Sequence, residues 1–250
     1  MDIIYGRNAV KSAIRSGRSI DKLIASVDVT DPSVREILTL AAQHHIPVVR
    51  ADRRKLDSMT LPFGFGGKPA NHQGVLAVAP ARDYDSIEDI FALAEKRGEP
   101  PFIVLLDGIT DEGNLGSIIR SAEVLGAHGV ILGKHRSASL SAVAAKTSSG
   151  ASDLIAIAKV TNITAAIEEL KAKNVWTVAA DPSGQTADSI DMKGAIAIVV
   201  GSEGEGLSRL VLESCDFKAR IPMKGQTGSL NAAVAAAVLM YEKARQDSVK

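Results

Sequence analysis

Residues 195–206 read Ala195-Ile-Ala-Ile-Val-Val-Gly-Ser-Glu-Gly-Glu-Gly206, a continuous apolar run followed at once by a glycine-rich polar loop. An uninterrupted Val/Ile run, without alternation, is typical of a strand buried on both faces of a parallel sheet. Glycines directly after such a strand let backbone groups approach a ligand closely. The stretch therefore predicts an α/β fold with a ligand site at the carboxyl ends of its strands.

Two further polar segments have a similar setting. Asn114-Leu-Gly-Ser-Ile-Ile-Arg120 follows the strand-like Phe102–Leu106, and Gly228-Ser-Leu-Asn231 opens an alanine-rich helix predicted over Ser229–Arg245. Together with residues 201–206, they predict three loops that converge on one ligand at the same edge of the sheet.

Helix capping is the competing interpretation of these segments. Asn114 is a plausible N-cap of a helix that starts at Leu115, and Ser229 is a plausible N-cap of the last helix. Asn231, placed at the second position of that predicted helix, has no structural need to be there. Capping explains Asn114 and Ser229 one at a time, but it does not explain the set.

The order of apolar runs predicts two domains and a connector. Residues 1–80 form a small α/β unit that contains a glycine-rich loop at Phe63–Ala70, and residues 81–100 connect it to the rest of the chain. In residues 101–250, strand, loop and helix repeat, which predicts a parallel sheet with helices on both faces.

Charge is unevenly distributed along the chain. The net charge is zero, with 29 basic and 29 acidic residues, but residues 1–80 carry 11 Lys+Arg against 7 Asp+Glu, a balance of +4. This part includes the cluster Arg50, Arg53, Arg54 and Lys55. A basic small domain beside a near-neutral larger one fits an enzyme that contacts phosphates with one part and does chemistry with the other; a solvated charged surface fits these counts equally well.

Several classes of site are disfavoured by the sequence. Cys215 is the only cysteine, which predicts a buried structural thiol and a protein that works in the reducing cytoplasm. The five histidines do not have the spacing of metal ligands. No apolar run is long enough to span a membrane, and the start of the chain lacks the pattern of a signal peptide. The loop after Phe102–Leu106 lacks the Gly-x-Gly-x-x-Gly of a dinucleotide site, and no Gly-Lys-Ser/Thr follows any strand.

The three segments together resemble the SpoU (TrmH-like) ribose 2′-O-methyltransferases of the SPOUT superfamily. The first motif of that family is matched by Asn114 and Arg120, the second by Gly201, Ser202, Glu203 and Gly206, and the third by Ser229, Leu230 and Asn231. In the N-terminal part, Ile4–Val10 and His72–Val75 resemble the L30e-like substrate-binding domain of the 23S rRNA guanosine 2′-O-methyltransferases, the RlmB-like enzymes. The longer loop at Phe63–Ala70 departs from that pattern and leaves the contacts with RNA open.

The resemblance implies a fold, a reaction and a site. The C-terminal sheet is expected to carry a trefoil knot, to bind S-adenosylmethionine and to pack as a homodimer. The expected reaction is methylation of a ribose 2′-hydroxyl of RNA, with a guanosine of 23S rRNA as the target and no metal. The implied catalytic residues are Arg120, Asn114, Glu203, Ser229 and Asn231. The implied cofactor contacts are Gly201, Ser202, Gly206, Ile221, Met223 and Leu230. The implied RNA contacts are Arg7, Arg50, Arg53, Arg54, Lys55 and His72.

Two alternatives are compatible with the same motifs. A tRNA ribose 2′-O-methyltransferase shares all three, although the L30e-like segment favours rRNA. A protein that binds rRNA during ribosome assembly without catalysis would need to have lost activity despite an intact set of motifs.

In the expected reaction, Arg120 is a poor candidate for the base, because a guanidinium is hardly ever deprotonated in proteins. We therefore expect Arg120 to stabilise the developing alkoxide. Which group removes the proton from the 2′-hydroxyl stays open.

Overall fold

The structure, a computed structural model, describes residues 2–28, 31–80, 82–226 and 228–248, and the side chain of Asp2 lies outside this description. The chain divides after Asp83 into two compact units. Much of the predicted connector over residues 81–100 belongs to the second unit. Asp85 exchanges hydrogen bonds with Ile157 (N–O 2.9 Å and N–Oδ2 2.7 Å), and the helix after it buries Ile90 and Ala94.

The N-terminal unit is a mixed sheet with helices. Its described elements are β1 (Asp2–Tyr5), α1 (Arg7–Arg15), β2 (Lys22–Ser26), α2 (Pro32–Gln43), β3 (Val48–Ala51), α3 (Arg53–Thr60) and β4 (Val75–Ala79). The strand order is β1-β4-β2-β3, with β4 antiparallel to both of its neighbours and β2 parallel to β3. The small α/β unit predicted from the sequence is present, with β1 as an additional strand.

The second unit is an α/β sandwich. Its described elements are α4 (Ile87–Arg97), β5 (Phe102–Asp107), α5 (Glu112–Val124), β6 (Gly129–Gly133), α6 (Ala142–Thr147), β7 (Ala156–Val160), α7 (Ile163–Ala172), β8 (Trp176–Thr186), β9 (Ile196–Gly201), α8 (Arg209–Ser214), β10 (Phe217–Arg220) and α9 (Ala232–Ser248). The strands follow the order β10-β8-β9-β5-β6-β7, and the described pairings between neighbours are parallel.

Both faces of this sheet are covered by helices, as the continuous apolar runs predict. In β5, Val104 and Leu106 belong to a core that includes residues of α5 and α9. Ile103 and Leu105, which point to the other face, belong to a core that includes residues of α4, α7 and α8. Full burial on both faces requires apolar side chains at every position of the strand.

Strand β8 contains an excursion that the sequence did not reveal. Its pairing with β10 runs from Lys218↔Ala179 directly to Ala219↔Gln185, so residues 180–184 leave the ladder. The chain returns to the ladder just after Gly184, where a Cβ would lie 2.2 Å from the carbonyl oxygen of Lys218. Only glycine permits this approach, and the excursion adds a wall at the carboxyl end of the sheet.

Candidate functional site

The first and second polar segments meet where the strand order reverses. Strand β5 lies between β6 and β9, and Asp107 at its end is paired with Gly201 at the end of β9. Such a switch point leaves a crevice outside the carboxyl ends of two parallel strands, where open α/β sheets bind ligands. The Asp107 carboxylate accepts a hydrogen bond from the backbone N–H of Ser208 at 2.9 Å. Asp107, which the motifs do not include, thus ties the loop after β9 to the end of β5.

The glycines of residues 201–206 are required by the shape of the loop. Ser202 and Gly206 exchange two backbone hydrogen bonds of 3.1 and 3.0 Å, so the loop folds back on itself. A Cβ on Gly201 would lie 2.2 Å from the carbonyl carbon of Gly206, and Gly204 and Gly206 have φ angles of +91° and +68°. The folded-back loop carries Glu203, which is exposed.

One residue from each of the three segments joins a single hydrogen-bonded cluster, which we call the Asn–Glu–Asn clamp: Asn114, Glu203 and Asn231. Asn114 Nδ2 donates to Glu203 Oε1 at 2.9 Å, and Asn231 Nδ2 donates to Asn114 Oδ1 at 3.0 Å and also to Glu203 Oε1. The backbone N–H of Ala232 donates to the same Glu203 oxygen at 3.2 Å. The three segments, 28 to 117 residues apart along the chain, therefore do converge.

The capping interpretation of Asn114 is wrong. Helix α5 begins at Glu112, and its N-cap is Asp111, whose carboxylate accepts from the backbone N–H of Asn114 at 2.7 Å. Asn114 is the third residue of the helix, and its side chain is free to join the clamp. Asp111, three positions earlier, is as favourable an N-cap residue as Asn114, and the structure uses Asp111.

The predicted start of the last helix is also wrong. Helix α9 begins at Ala232, and Asn231 Oδ1 accepts from the backbone N–H groups of Ala233 (3.0 Å) and Val234 (3.3 Å), so the capping residue is Asn231. Asn231 thus has a structural need that the sequence interpretation denied, in addition to its part in the clamp. Ser229 lies before the helix and is exposed.

A cavity of about 390 Å³ lies beside the clamp, within the range of small-molecule sites. Its lining includes Ser229, Glu203 and the six residues expected to contact a cofactor: Gly201, Ser202, Gly206, Ile221, Met223 and Leu230. Ala180, Asp181 and Pro182, from the excursion of β8, also line it and were not predicted. Among the described residues of the lining, the charged ones are Asp181 and Glu203, both carboxylates, so the walls favour a neutral or cationic ligand over a phosphate.

Arg120 stands apart from the clamp. It lies six residues after Asn114 on α5, which at about 100° per residue places the two side chains on different faces of the helix. Its side chain is exposed and makes neither an ion pair nor a hydrogen bond within the part of the chain that the structure describes. Of the five expected catalytic residues, Glu203 and Ser229 line the cavity. Asn114 and Asn231 line a neighbouring groove between α5 and α9 and are joined to the cavity through their hydrogen bonds to Glu203. Arg120 is left free to meet a ligand from outside.

The expected RNA contacts of the N-terminal unit fall into two groups. Arg53, Arg54 and Lys55 are exposed in the first turn of α3, and the exposed Arg50 donates to the carbonyl oxygen of Ser26 at 3.3 Å. These four side chains are accessible to a polyanion.

Arg7 and His72 are engaged inside the unit. The Arg7 guanidinium pairs with Asp31 at 2.6 Å and donates to the carbonyl oxygen of Gln73 at 3.3 Å. His72 is 3% exposed; its Nδ1 accepts from the backbone N–H of Gly74, and its Nε2 lies 3.0 Å from Asp57. The expectation that the His72 ring contacts RNA is wrong, because both ring nitrogens are used to hold the segment before β4.

Cys215 is not suited to act as a nucleophile. Burial raises the pKa of the Cys215 thiol to about 12, and its Sγ lies 3.2 Å from the carbonyl oxygen of Val211, so it is a poor nucleophile. Across residues 2–28, 31–80, 82–226 and 228–248, no group of three His, Cys, Asp or Glu side chains is arranged to hold a metal ion. No helix in the same ranges is long and apolar enough to cross a membrane.

Comparisons with known proteins match both units. Residues 101–241 match the model of the SpoU rRNA Methylase family, and residues 3–85 match a family described as RNA 2′-O ribose methyltransferase substrate binding. YacO of Bacillus subtilis (strain 168), assigned to the TrmH family of tRNA/rRNA methyltransferases, is 39% identical over 247 residues, which cover 98% of this chain and 96% of YacO.

Solved structures agree with the sequence matches. The SpoU methyltransferase AviRb from Streptomyces viridochromogenes, in complex with AdoMet, has a TM-score of 0.60 and 26% identity over 98% of this chain and 89% of its own. An AdoMet-bound rRNA methyltransferase from Sinorhizobium meliloti has a TM-score of 0.59 and 26% identity over 99% and 88% of the two chains. The chain therefore belongs to the SpoU (TrmH-type) family of S-adenosylmethionine-dependent RNA methyltransferases.

Proposed function

We propose that the protein methylates a ribose 2′-hydroxyl of RNA and that its target is a guanosine of 23S rRNA. The observation that carries the proposal is the Asn–Glu–Asn clamp beside the cavity, because three segments far apart in the chain are joined there by polar side chains. The ribose as acceptor is supported by the match of residues 3–85 to a family for RNA 2′-O ribose methyltransferase substrate binding.

The cavity suits S-adenosylmethionine. The backbone of Gly201 and Gly206 is open to a neutral nucleoside, and Ile221, Met223 and Leu230 offer apolar contact to an adenine ring. Asp181 complements the positive charge of the ligand. When bound, S-adenosylmethionine supplies an already activated methyl group, so the protein has to place the ribose hydroxyl and assist the loss of its proton.

The polar residues divide these tasks between them. Glu203 Oε1 accepts three hydrogen bonds, from Asn114, Asn231 and the backbone N–H of Ala232. Its Oε2 has no partner within the described residues, so this oxygen can accept a hydrogen bond from the ribose. Asn114 and Asn231 hold this carboxylate, while Ser229 orients the substrate at the rim. Arg120, a fixed cation, stabilises negative charge as it develops on the 2′-oxygen.

We also propose a homodimer through the C-terminal unit. A groove between α5 and α9 is lined by Ser117, Ser121 and the exposed apolar side chains of Val234, Val238 and Tyr241. A second copy in this groove would cover these side chains and would adjoin Arg120 on α5, so that RNA could reach residues of both subunits. Sedimentation of an active but strictly monomeric enzyme would contradict this.

The choice of 23S rRNA rests on the N-terminal unit. The tRNA-modifying TrmH/SpoU enzyme of A. aeolicus covers 64% of this chain, whereas the rRNA methyltransferase of Sinorhizobium meliloti covers 99%. An rRNA substrate also implies action in the cytoplasm.

The trefoil knot stays a prediction. It is compatible with the strand order β10-β8-β9, because the last strand, β10, lies beyond β8 at the edge of the sheet and not beside β9, the strand that precedes it in the chain.

Substitution of Arg120 tests the proposed chemistry. Arg120→Ala should lower single-turnover methyl transfer to unmethylated rRNA by about 100- to 1,000-fold, the usual effect of removing one charge-stabilising donor, with little loss of S-adenosylmethionine affinity by calorimetry. Arg97→Ala, an exposed arginine on α4, is the matched control and should be neutral. Near-normal turnover of Arg120→Ala would refute the role.

A further inference from the structure

The loop between α3 and β4 holds an aromatic side chain in solvent. Phe65 is 95% exposed, the most exposed of the large apolar side chains described. The backbone N–H of Lys68 donates to the carbonyl oxygen of Phe65 at 3.2 Å, and the intervening Gly66 and Gly67 have φ angles of +63° and +71°. Two successive positive φ angles inside a closed four-residue turn are the pattern of a type I′ turn. Phe65 therefore stands at the corner of a defined turn.

The two ends of this loop are fixed to the unit. The backbone N–H of Ala70 donates to the carbonyl oxygen of Thr60 at 3.1 Å, and the Phe63 ring lies 5.7 Å from the ring of Tyr5. A Cβ on Gly64 would lie 1.8 Å from the carbonyl oxygen of Lys68, so the two limbs touch directly. Phe63, which is 46% exposed, holds the loop through its contact with Tyr5. Phe65 is presented outward without the free energy that burial would give.

Cations lie at the other end of the same helix. Arg53, Arg54 and Lys55 occupy the first turn of α3, where positive charge opposes the helix dipole. Their side chains are exposed and make no ion pair with any residue in the described ranges. Helix stability does not account for them. The eight residues of α3 span about 12 Å, and Phe65 follows the far end of the helix, so an RNA strand that contacts both would have to extend over several nucleotides.

We propose that Phe65 stacks on an unpaired base of the RNA while Arg53, Arg54 and Lys55 hold the phosphates of the same strand. The inference rests on the proposed RNA substrate and narrows it to a single-stranded or looped segment. Positive side chains that follow the backbone, together with an aromatic ring for a base, are the usual means of binding single strands. Bases in a continuous duplex are stacked on each other and offer no free face to Phe65.

Binding titrations test this without any methyl transfer. The full-length protein is titrated by fluorescence anisotropy with a labelled single-stranded oligoadenylate and with an RNA duplex of the same length. Phe65→Ala should weaken binding of the single strand by about 5- to 150-fold, the effect of losing one stacked base, and should leave duplex binding within about twofold. Phe65→Trp should keep the affinity and Phe65→Leu should lose it. Val27→Ala, at another exposed apolar residue of this unit, is the control and should be neutral.

The contribution of the cations has a separate signature. Arg53→Gln with Arg54→Gln should make the salt dependence of single-strand binding shallower, by about 0.7 in the log–log slope for each phosphate that the protein no longer neutralises. Wild-type affinity in Phe65→Ala, or equal affinities of the leucine and tryptophan variants, would overturn the inference. If binding depends on Phe65 but no RNA is methylated, the proposed function fails instead, so the two failures are distinguishable.

Discussion

Replacement of Asn231 by aspartate separates the two tasks of this side chain. Its Oδ1 caps α9 through the backbone N–H groups of Ala233 and Val234, while its Nδ2 donates to Asn114 and Glu203. Aspartate caps a helix as well as asparagine does, and its charge suits the helix N-terminus. In the clamp, however, it replaces a donor with a carboxylate oxygen that faces the carboxylate of Glu203.

The repulsion in this variant is larger than the capping energy. Two unit charges about 3 Å apart repel by about 1.4 kcal/mol at a dielectric constant of 80 and by about 5.5 kcal/mol at 20. Asn231 and Glu203 are both exposed, so the lower value applies more closely. The capping bonds, worth about 1 kcal/mol, are retained. A cost of about 1.4 kcal/mol lowers the population of the closed clamp about tenfold.

Three variants at this position, measured together, give a clear test. We expect Asn231→Asp to lower single-turnover methyl transfer at least about tenfold, with a loss in Tm of at most about 3–6 °C from the repulsion of about 1.4 kcal/mol. Asn231→Ser, which caps but adds no charge, should lose less activity, and Asn231→Ala should lose the cap and about 2–4 °C in Tm. Full activity of Asn231→Asp, or a loss of activity no larger than that of Asn231→Ser, would refute the double role.

Three further predictions follow from the contacts of the second unit. Gly201→Ala should abolish S-adenosylmethionine binding in calorimetry because its Cβ would meet the Gly206 backbone at 2.2 Å, while Gly225→Ala, where the added Cβ meets open space, should bind normally. Asp181→Asn should weaken binding of S-adenosylmethionine about fivefold, from about 1 kcal/mol of lost attraction to its sulfonium. It should leave S-adenosylhomocysteine, which lacks the sulfonium charge, unaffected, and equal losses for both ligands would exclude the electrostatic role. Burial lowers the pKa of His128, whose Nδ1 accepts a hydrogen bond from the backbone N–H of Phe102 at 3.0 Å. Because the unfolded chain then binds more protons than the folded chain, Tm should fall as the pH drops below 6.5, the ordinary pKa of histidine. The same pH dependence of Tm in His128→Gln would contradict this.

The strands of the second unit were predictable because their signal is local. The apolar run Ile196–Val200 is buried along its whole length, and only burial on both faces of a parallel sheet requires that pattern. The excursion of β8 was not predictable, since Asp181-Pro-Ser-Gly184 has the composition of a turn and its return to the ladder depends on β10, more than thirty residues later. Strand β1 was missed for the same reason, because its four residues pair with β4 at the far end of the unit.

The candidate site was predictable as a set but not in its contacts. The motifs identified Asn114, Glu203 and Asn231, yet the capping rules gave the wrong helix starts. Asp111 and Asn231, which cap the helices, are residue types as favourable for capping as Asn114 and Ser229, so residue type alone does not show which one is used. Asp107 and Asp181 carry no motif. The hydrogen bond from Ser208 to Asp107 and the position of Asp181 in the cavity wall both depend on strand order. His72 matches a motif as well as the clamp residues do, but its contacts are internal, which sequence spacing does not reveal.

A map of ribose 2′-O-methylation across rRNA and tRNA, in cells with the protein, without it and with only Arg120→Ala, tests the proposed function most directly. The proposal predicts that one guanosine of 23S rRNA loses its 2′-O-methyl group in the deletion strain, regains it with the wild-type protein and stays unmethylated with Arg120→Ala. A lost mark in tRNA alone would move the substrate to tRNA. An unchanged map in all three strains would contradict ribose methylation by this protein.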